Sequence, residues 1–173
     1  MNDFIERQKN PAPTIRELLA PLGKAGTKNN PNTCTAKITF ATRPVMRKSP
    51  YAGMYFNGQG RPMCIDGYSN TLPASMGGNK TPFVDEEYLY GDAPEDWVVA
   101  YLMDGSITPE FTEAPSRLRR ITIREAARIQ TFPDNYIFCG NKGRIYTQIG
   151  NAVPCKLAEA VAKAVVTYIN EQH

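Results

Sequence analysis

Arg117, Arg119, Arg120, Arg124 and Arg128 form the densest cationic cluster in the chain. A guanidinium presents a fork of donors that fits a phosphate or a carboxylate, so the cluster suits a DNA backbone or internal acids. Further upstream, Arg43, Arg47, Lys48 and Arg61 are interleaved with Tyr51, Tyr55 and Phe56 among Pro44, Pro50, Gly53, Gly58 and Gly60. Cations and flat rings on a pliant backbone can follow a phosphate chain and touch bases; an ordinary exposed loop has the same make-up. The stretch from Asp66 to Lys80 adds Ser69, Thr71 and Ser75, the Gly77-Gly78 pair and Lys80. Such a loop can hold a phosphate through side chains and backbone N–H groups, but Gly-Gly turns are common elsewhere. One more candidate is Cys155, directly after Pro154. A helix N-terminus can lower a thiol's pKa, yet a small packed residue is the plainer role.

Several local elements must position these groups. Thr122 followed by Glu125 is a capping box, which predicts a short helix burying Ala126, Ile129 and Phe132. Arg124 and Arg128 then share another face. Pro133 is expected to end this helix, since proline cannot continue the hydrogen-bond ladder. Gly150-Asn151 reads as a turn, with Pro154 where a first helical residue would sit. From Lys156 onward the polar residues Lys156, Glu159, Lys163, Thr167 and Asn170 recur three or four apart and form one narrow stripe. Leu157, Val161, Val165, Val166 and Ile169 are among those filling the remaining circumference. A helix so apolar needs cover on more than one side. It requires a partner, and self-association through it is expected when the chain is isolated.

Nearer the N-terminus, Thr14-Ile15-Arg16-Glu17 is a second capping box, predicting a short helix through Leu18 and Leu19 that stops near Pro21. Residues 23–32 read as loop. Ile38 and Phe40 alternate with Lys37 and Thr39, a short strand signal. The acidic residues Asp85, Glu86, Glu87, Asp92, Glu95 and Asp96 repel DNA and are expected on a face turned from it. Trp97, leading an apolar run to Leu102, reads as a core anchor. Residues 104–118 look like a linker.

At 173 residues one domain is the natural expectation. The net charge of +3 and pI near 8.7 fit a polyanion partner and many ordinary proteins alike. Fourteen prolines and thirteen glycines predict a loop-rich body rather than a helical bundle. No apolar run is long enough to cross a membrane and no secretory layout opens the chain, so a cytoplasmic location is expected. Cys34, Cys64, Cys139 and Cys155 include no Cys-x-x-Cys pair, and the one histidine is His173, so no metal site is expected.

The run Arg119-Arg120-Ile121-Thr122-Ile123-Arg124-Glu125-Ala126-Ala127-Arg128-Ile129-Gln130-Thr131-Phe132-Pro133-Asp134 and the later Gln148-Ile149-Gly150-Asn151-Ala152-Val153-Pro154 are specific. They closely resemble the last two sequence blocks of the cytosine-5 DNA methyltransferases, with Ile121 in place of a leucine. Gly58-Gln59-Gly60-Arg61, then Thr71-Leu72 and Gly77-Gly78, is similar to the order found in the recognition domain before those blocks. The resemblance implies an α+β fold. A loop-rich DNA target-recognition domain with short strands would span 1–118. The closing motifs and a long C-terminal helix that packs on the catalytic α/β domain would span 119–173. It implies contacts to double-stranded DNA from Gln59, Arg61, Thr71, Gly77, Gly78, Lys80, Arg119 and Arg124. Thr71 would meet a phosphate near the target cytosine, and Gln59 the gap that the flipped base leaves. The family's arginine block is credited mainly with knitting the recognition lobe to the rest, so both roles stay open for Arg119 and Arg124. Asn151, Ala152 and Val153 would line the S-adenosylmethionine pocket.

Family chemistry adds a cysteine thiolate to carbon 6 of a flipped cytosine so that carbon 5 attacks the methyl donor. It needs a Pro-Cys nucleophile block, a glutamate block and a glycine-rich cofactor turn, and the sequence shows none of them. Pro154-Cys155 belongs to the closing motif instead. No catalytic residue is therefore expected. The chain should act as the C-terminal fragment or small subunit of a restriction-modification type enzyme, inactive without an N-terminal catalytic half. A natural subunit, a truncated gene and an excised segment all suit this. The alternative is a stand-alone DNA-binding or regulatory protein.

Overall fold

The computed structural model describes residues 3, 6–45, 47–104 and 114–171. The fold is α+β. Helix α1 (Ile15–Leu19) begins at the Thr14 capping box: the Thr14 N–H reaches Glu17 Oε2 at 2.8 Å and the Glu17 N–H reaches Thr14 Oγ1 at 3.2 Å. The helix stops near Pro21 as expected, and the chain continues as a 3₁₀ segment over Ala20–Leu22. Arg16 ties α1 down through Asp66 at 2.6 Å and the carbonyls of Tyr88 and Leu89 at 2.6 and 2.8 Å.

The strand expected around residues 37–40 begins at Phe40 and runs on as β1 (Phe40–Val45). It pairs antiparallel with β2 (Met54–Phe56), Phe40 opposite Phe56 and Val45 opposite Met54, with an irregular register between. The cation-rich stretch after Arg43 is thus partly a two-stranded ribbon. The adjacent Tyr55 and Phe56 of β2 are both buried and join a cluster with Ile38, Phe83, Val98 and Leu118. A second ribbon pairs β3 (Phe83–Asp85) with β4 (Leu118–Arg120). Between these strands lie α2 (Glu86–Tyr90), capped by Asp85, and α3 (Trp97–Asp104), where Trp97 stacks on Tyr101 at 4.8 Å. Trp97 is half-buried against that cluster, as an anchor should be. The linker expected at 104–118 lies mostly outside the described residues.

Helix α4 (Ile123–Ile129) starts at the second capping box, with the Thr122 N–H 2.8 Å from Glu125 Oε2. Ala126 is fully buried while Ile129 and Phe132 are half-buried. The helix stops before Pro133 exerts any effect, because Thr131 adopts φ 58°. The Thr131 N–H meets Arg128 O at 2.9 Å and the Phe132 N–H meets Ala127 O at 2.9 Å, which is a Schellman closure. A β-branched residue in the left-handed region is strained by about 1–3 kcal/mol. Its Oγ1 gives a reason: it accepts the Lys156 N–H at 2.9 Å and caps the last helix. Removing that hydroxyl in Thr131→Ala should cost about 1 kcal/mol in urea unfolding, whereas Thr131→Ser should stay near the parent.

Residues 142–151 hold a helix that the sequence reading missed, α5 (Lys142–Asn151). Gly150-Asn151 is its final turn rather than a free turn, so that expectation is corrected. Asn141 caps the helix, and Ile145, Tyr146 and Ile149 fill one buried face. Helix α6 (Cys155–Asn170) follows, with Pro154 as its cap, one residue before the first helical position expected for it. The larger core cluster unites Ile15 and Leu19 of α1 with Ile121, Ala126, Ile145 and Ile149, so residues on both sides of position 118 share one core.

Candidate nucleic-acid interface

Two glycines present the loop that carries Gln59. Gly58 has φ +69°, and a Cβ there would sit 2.2 Å from Asn79 O. A Cβ on Gly60 would lie 2.1 Å from Thr81 O and 2.4 Å from the buried Arg120 guanidinium. The backbone on either side of Gln59 is therefore pressed against residues 79–81, and the Gln59 side chain is pushed outward. A groove of about 450 Å³ opens beside it, lined by Met54, Gln59, Arg61, Met63, Asn70, Thr71, Pro73 and Pro82. Three residues expected to touch DNA, Gln59, Arg61 and Thr71, meet here from two separate loops. All three are exposed, and their side chains have no hydrogen bond or ion pair among the described residues. Unpaired polar groups on a concave, partly cationic surface are free to bond phosphates and base edges.

Gly77, Gly78 and Lys80 lie outside this groove. Gly77 and Gly78 have φ +140° and +53° and lead into a 3₁₀ turn (Gly78–Lys80) that points Lys80 to solvent. Gly60→Ala should lower stability by about 1–3 kcal/mol through overpacking. By displacing Gln59 and Arg61 it should also weaken binding of duplex DNA, which fluorescence anisotropy would show.

The arginine cluster turns out to be internal fastening. Arg119, for which a DNA contact and an internal role were both expected, is tied to carboxylates. Its guanidinium donates to Glu125 twice at 2.8 Å and to Glu86 at 2.6 Å, and Glu125 is completely buried. Burial alone would lower the pKa of Arg119, but bonds and charges from Glu125 and Glu86 outweigh it and raise the pKa. Arg117 grips Asp85 with two nitrogens, at 2.9 and 2.7 Å. Arg120 has no carboxylate partner among the described residues; it donates to Thr81 O at 2.6 Å and Asn57 Oδ1 at 2.9 Å, and burial lowers its pKa. Arg128 pairs with Asp134 and donates to Leu18 O at 2.9 Å. Arg124 reaches the carbonyls of Pro133 and Tyr136 at 3.4 and 3.1 Å, beside a second groove of about 350 Å³ shared with Lys28 and Arg128. Asp85 and Asp96 are buried, so the acidic segment supplies partners to arginines and helix ends as well as a solvent face.

At the other end, Gln130 holds the turn expected to meet the cofactor. Its side-chain amide donates to Ile149 O at 2.9 Å and Ala152 O at 3.1 Å, and its carbonyl accepts the Cys155 N–H at 3.2 Å. Asn151 spends its amide on Thr147 O at 2.8 Å and Ala74 O at 3.3 Å. Ala152 is half-buried and Val153 is 61% exposed. A fixed turn offering a small apolar side chain fits one wall of an adenosine site, though not a complete one. Sequence reasoning missed Gln130 and Asn30. The fully buried Asn30 donates to Glu125 Oε1 at 2.9 Å and accepts the Thr122 hydroxyl.

The pattern that describes the C-5 cytosine-specific DNA methylases matches residues 5–167. The chain belongs to that family. Its members methylate cytosine in DNA with S-adenosylmethionine as donor. Among relatives, the type II methyltransferase M.PspPI of Psychrobacter sp. is 57% identical over 56 residues, 32% of this chain and 14% of that protein. M.Bpa9945I of Bacillus paralicheniformis is 41% identical over 99 residues, 55% of this chain and 21% of the relative. M.AgeI of Thalassovita gelatinovora is 38% identical over 106 residues, 54% of this chain and 24% of the relative. The matched region of this methylase-family chain thus spans at most about a quarter of these relatives. No helix among the described residues is long and apolar enough to cross a membrane.

Proposed function

We propose that this chain is the C-terminal, target-recognition part of a DNA cytosine-5 methyltransferase and gains activity only with an N-terminal catalytic half. Residues 1–118 select the DNA target; residues 119–173 return to the catalytic domain. The groove that gathers Gln59, Arg61 and Thr71 carries this reading, since it leaves unpaired polar groups from two loops facing one duplex-accessible concavity. Gly77, Gly78 and Lys80 flank it as backbone and cationic contacts to phosphate. Arg124, at the second groove, contributes long-range attraction.

Helix α6 supports the need for another half. Leu157, Val161, Val165, Val166 and Ile169 are 54, 42, 37, 56 and 50% exposed, and Ala164 is its fully buried residue. An apolar surface of that kind marks an interface. In the assembled enzyme the catalytic domain covers it; in isolation a second copy of the chain does. Asn151, Ala152 and Val153 complete the rim of the adenosylmethionine site, while the donor itself supplies the methyl group.

Two measurements test the reading. Duplex DNA should bind with an affinity that falls as salt rises, and the double substitution Arg61→Ala with Thr71→Ala should weaken it at least about ten-fold. Mixing with the catalytic half should restore methyl transfer to cytosine. Methyl transfer by this chain alone, or no duplex binding in the assembled enzyme, refutes the proposal.

A further inference from the structure

We propose that helix α5 couples the cofactor-side turn to the DNA-side loop, with Asn151 as the positioning residue; this rests on the functional reading above. The loop from Pro73 to Gly78 runs along α5 in direct backbone contact. At the C-terminal end a Cβ on Gly150 would lie 2.3 Å from Pro73 O and 3.2 Å from Ala74 Cα. The neighbouring Asn151 amide spans the same junction, bonding Thr147 O within the helix and Ala74 O across it. Nearer the N-terminal end, a Cβ on Gly77 would meet Gly143 Cα and O at 3.9 Å. Met76, 1% exposed, pins the middle of the loop into the core beside α5.

Asn151 is the last residue of α5 and the first of the turn that faces the cofactor, and Ala74 lies three residues from Thr71. A ligand that orders residues 151–153 therefore fixes the amide that holds Ala74. DNA then meets a Thr71 loop with part of its ordering cost already met. The effect is reciprocal, because the coupling factor is the same in both directions.

The experiment measures duplex DNA affinity of the assembled enzyme with and without saturating S-adenosylhomocysteine, which cannot donate a methyl group. The parent enzyme should bind DNA about five-fold or more tightly with this molecule present. In Asn151→Ala, resaturated with S-adenosylhomocysteine, the gain should fall below about two-fold, within the range where no coupling is resolved. Gly150→Ala should do the same by wedging Pro73 away. Where Gly150→Ala fails to fold, Asn151→Ala still decides. A purely structural role for Asn151 would weaken DNA binding equally in both arms and keep the gain, which overturns the inference. So does a parent enzyme that binds both molecules independently. If the parent binds no duplex at all, the functional reading falls first and this inference with it.

Discussion

An Arg119→Leu variant should melt roughly 6–20 °C below the parent protein by circular dichroism, from a loss of about 3–5 kcal/mol. The magnitude follows from what the substitution leaves behind. Glu125 has no exposed surface and takes two of its hydrogen bonds from Arg119, the others coming from Asn30 and the Thr122 N–H. Without the guanidinium a carboxylate remains in the core with no opposite charge, and Glu86 at the edge loses the charge of Arg119 and keeps the N–H of Ala25. Removing one member of a buried pair costs far more than the pair contributes. Arg119→Lys discriminates between the two roles first open to this residue. A lysine could still meet a phosphate, but its single ammonium cannot reproduce the planar fork that serves Glu125 twice and Glu86 once. It should therefore lose much of the same stability. A shift under about 3 °C for both variants would show that the cage is dispensable.

The second large effect belongs to α6. Leu157→Glu combined with Val161→Glu should leave the melting temperature of the isolated chain nearly unchanged, because both side chains are about half exposed. The same pair should cut assembly with the catalytic half roughly a thousand-fold, taking about 2 kcal/mol for each contact spoiled at the centre of an interface. Titration calorimetry reads the assembly, and methyl transfer should fall in parallel at fixed subunit concentration. If the isolated chain self-associates through this face, the double variant should also sediment as a monomer. Normal assembly by the double variant would place the interface elsewhere.

What the sequence disclosed was local chemistry. The capping boxes at Thr14 and Thr122 were readable because both partners lie within four residues and the geometry is fixed by the helix itself. The exposed apolar face of α6 was readable from periodicity alone. Helix α5 was hidden by Gly143 and Gly150, which argue against helix; Asn141 with Ile145, Tyr146 and Ile149 was the signal that could have revealed it. Gly150 is present because the carbonyl of Pro73 needs the space, at a junction that Asn151 and Ala74 bridge across some seventy-seven residues. The arginine cluster was ambiguous for a similar reason. A guanidinium fits phosphate and carboxylate equally, and the carboxylates that won, Asp85 and Glu86, lie over thirty residues upstream. Asn30 carried no local signal whatever, being a polar residue in a loop until Glu125 and Thr122 close around it. The groove itself was legible residue by residue but not as a cavity.

On the proposed recognition role, the glycines at 58, 60 and 150 mark where DNA preference would change. They lock the roots of the Gln59 and Thr71 loops against carbonyls of Asn79, Thr81 and Pro73, leaving Gln59, Arg61 and Asn70 at the tips. A retargeting library that varies those tips and holds the three roots constant keeps the scaffold intact while swapping what it reads. Drift between relatives of differing preference should follow that same division, fast at the rim and frozen at the hilt.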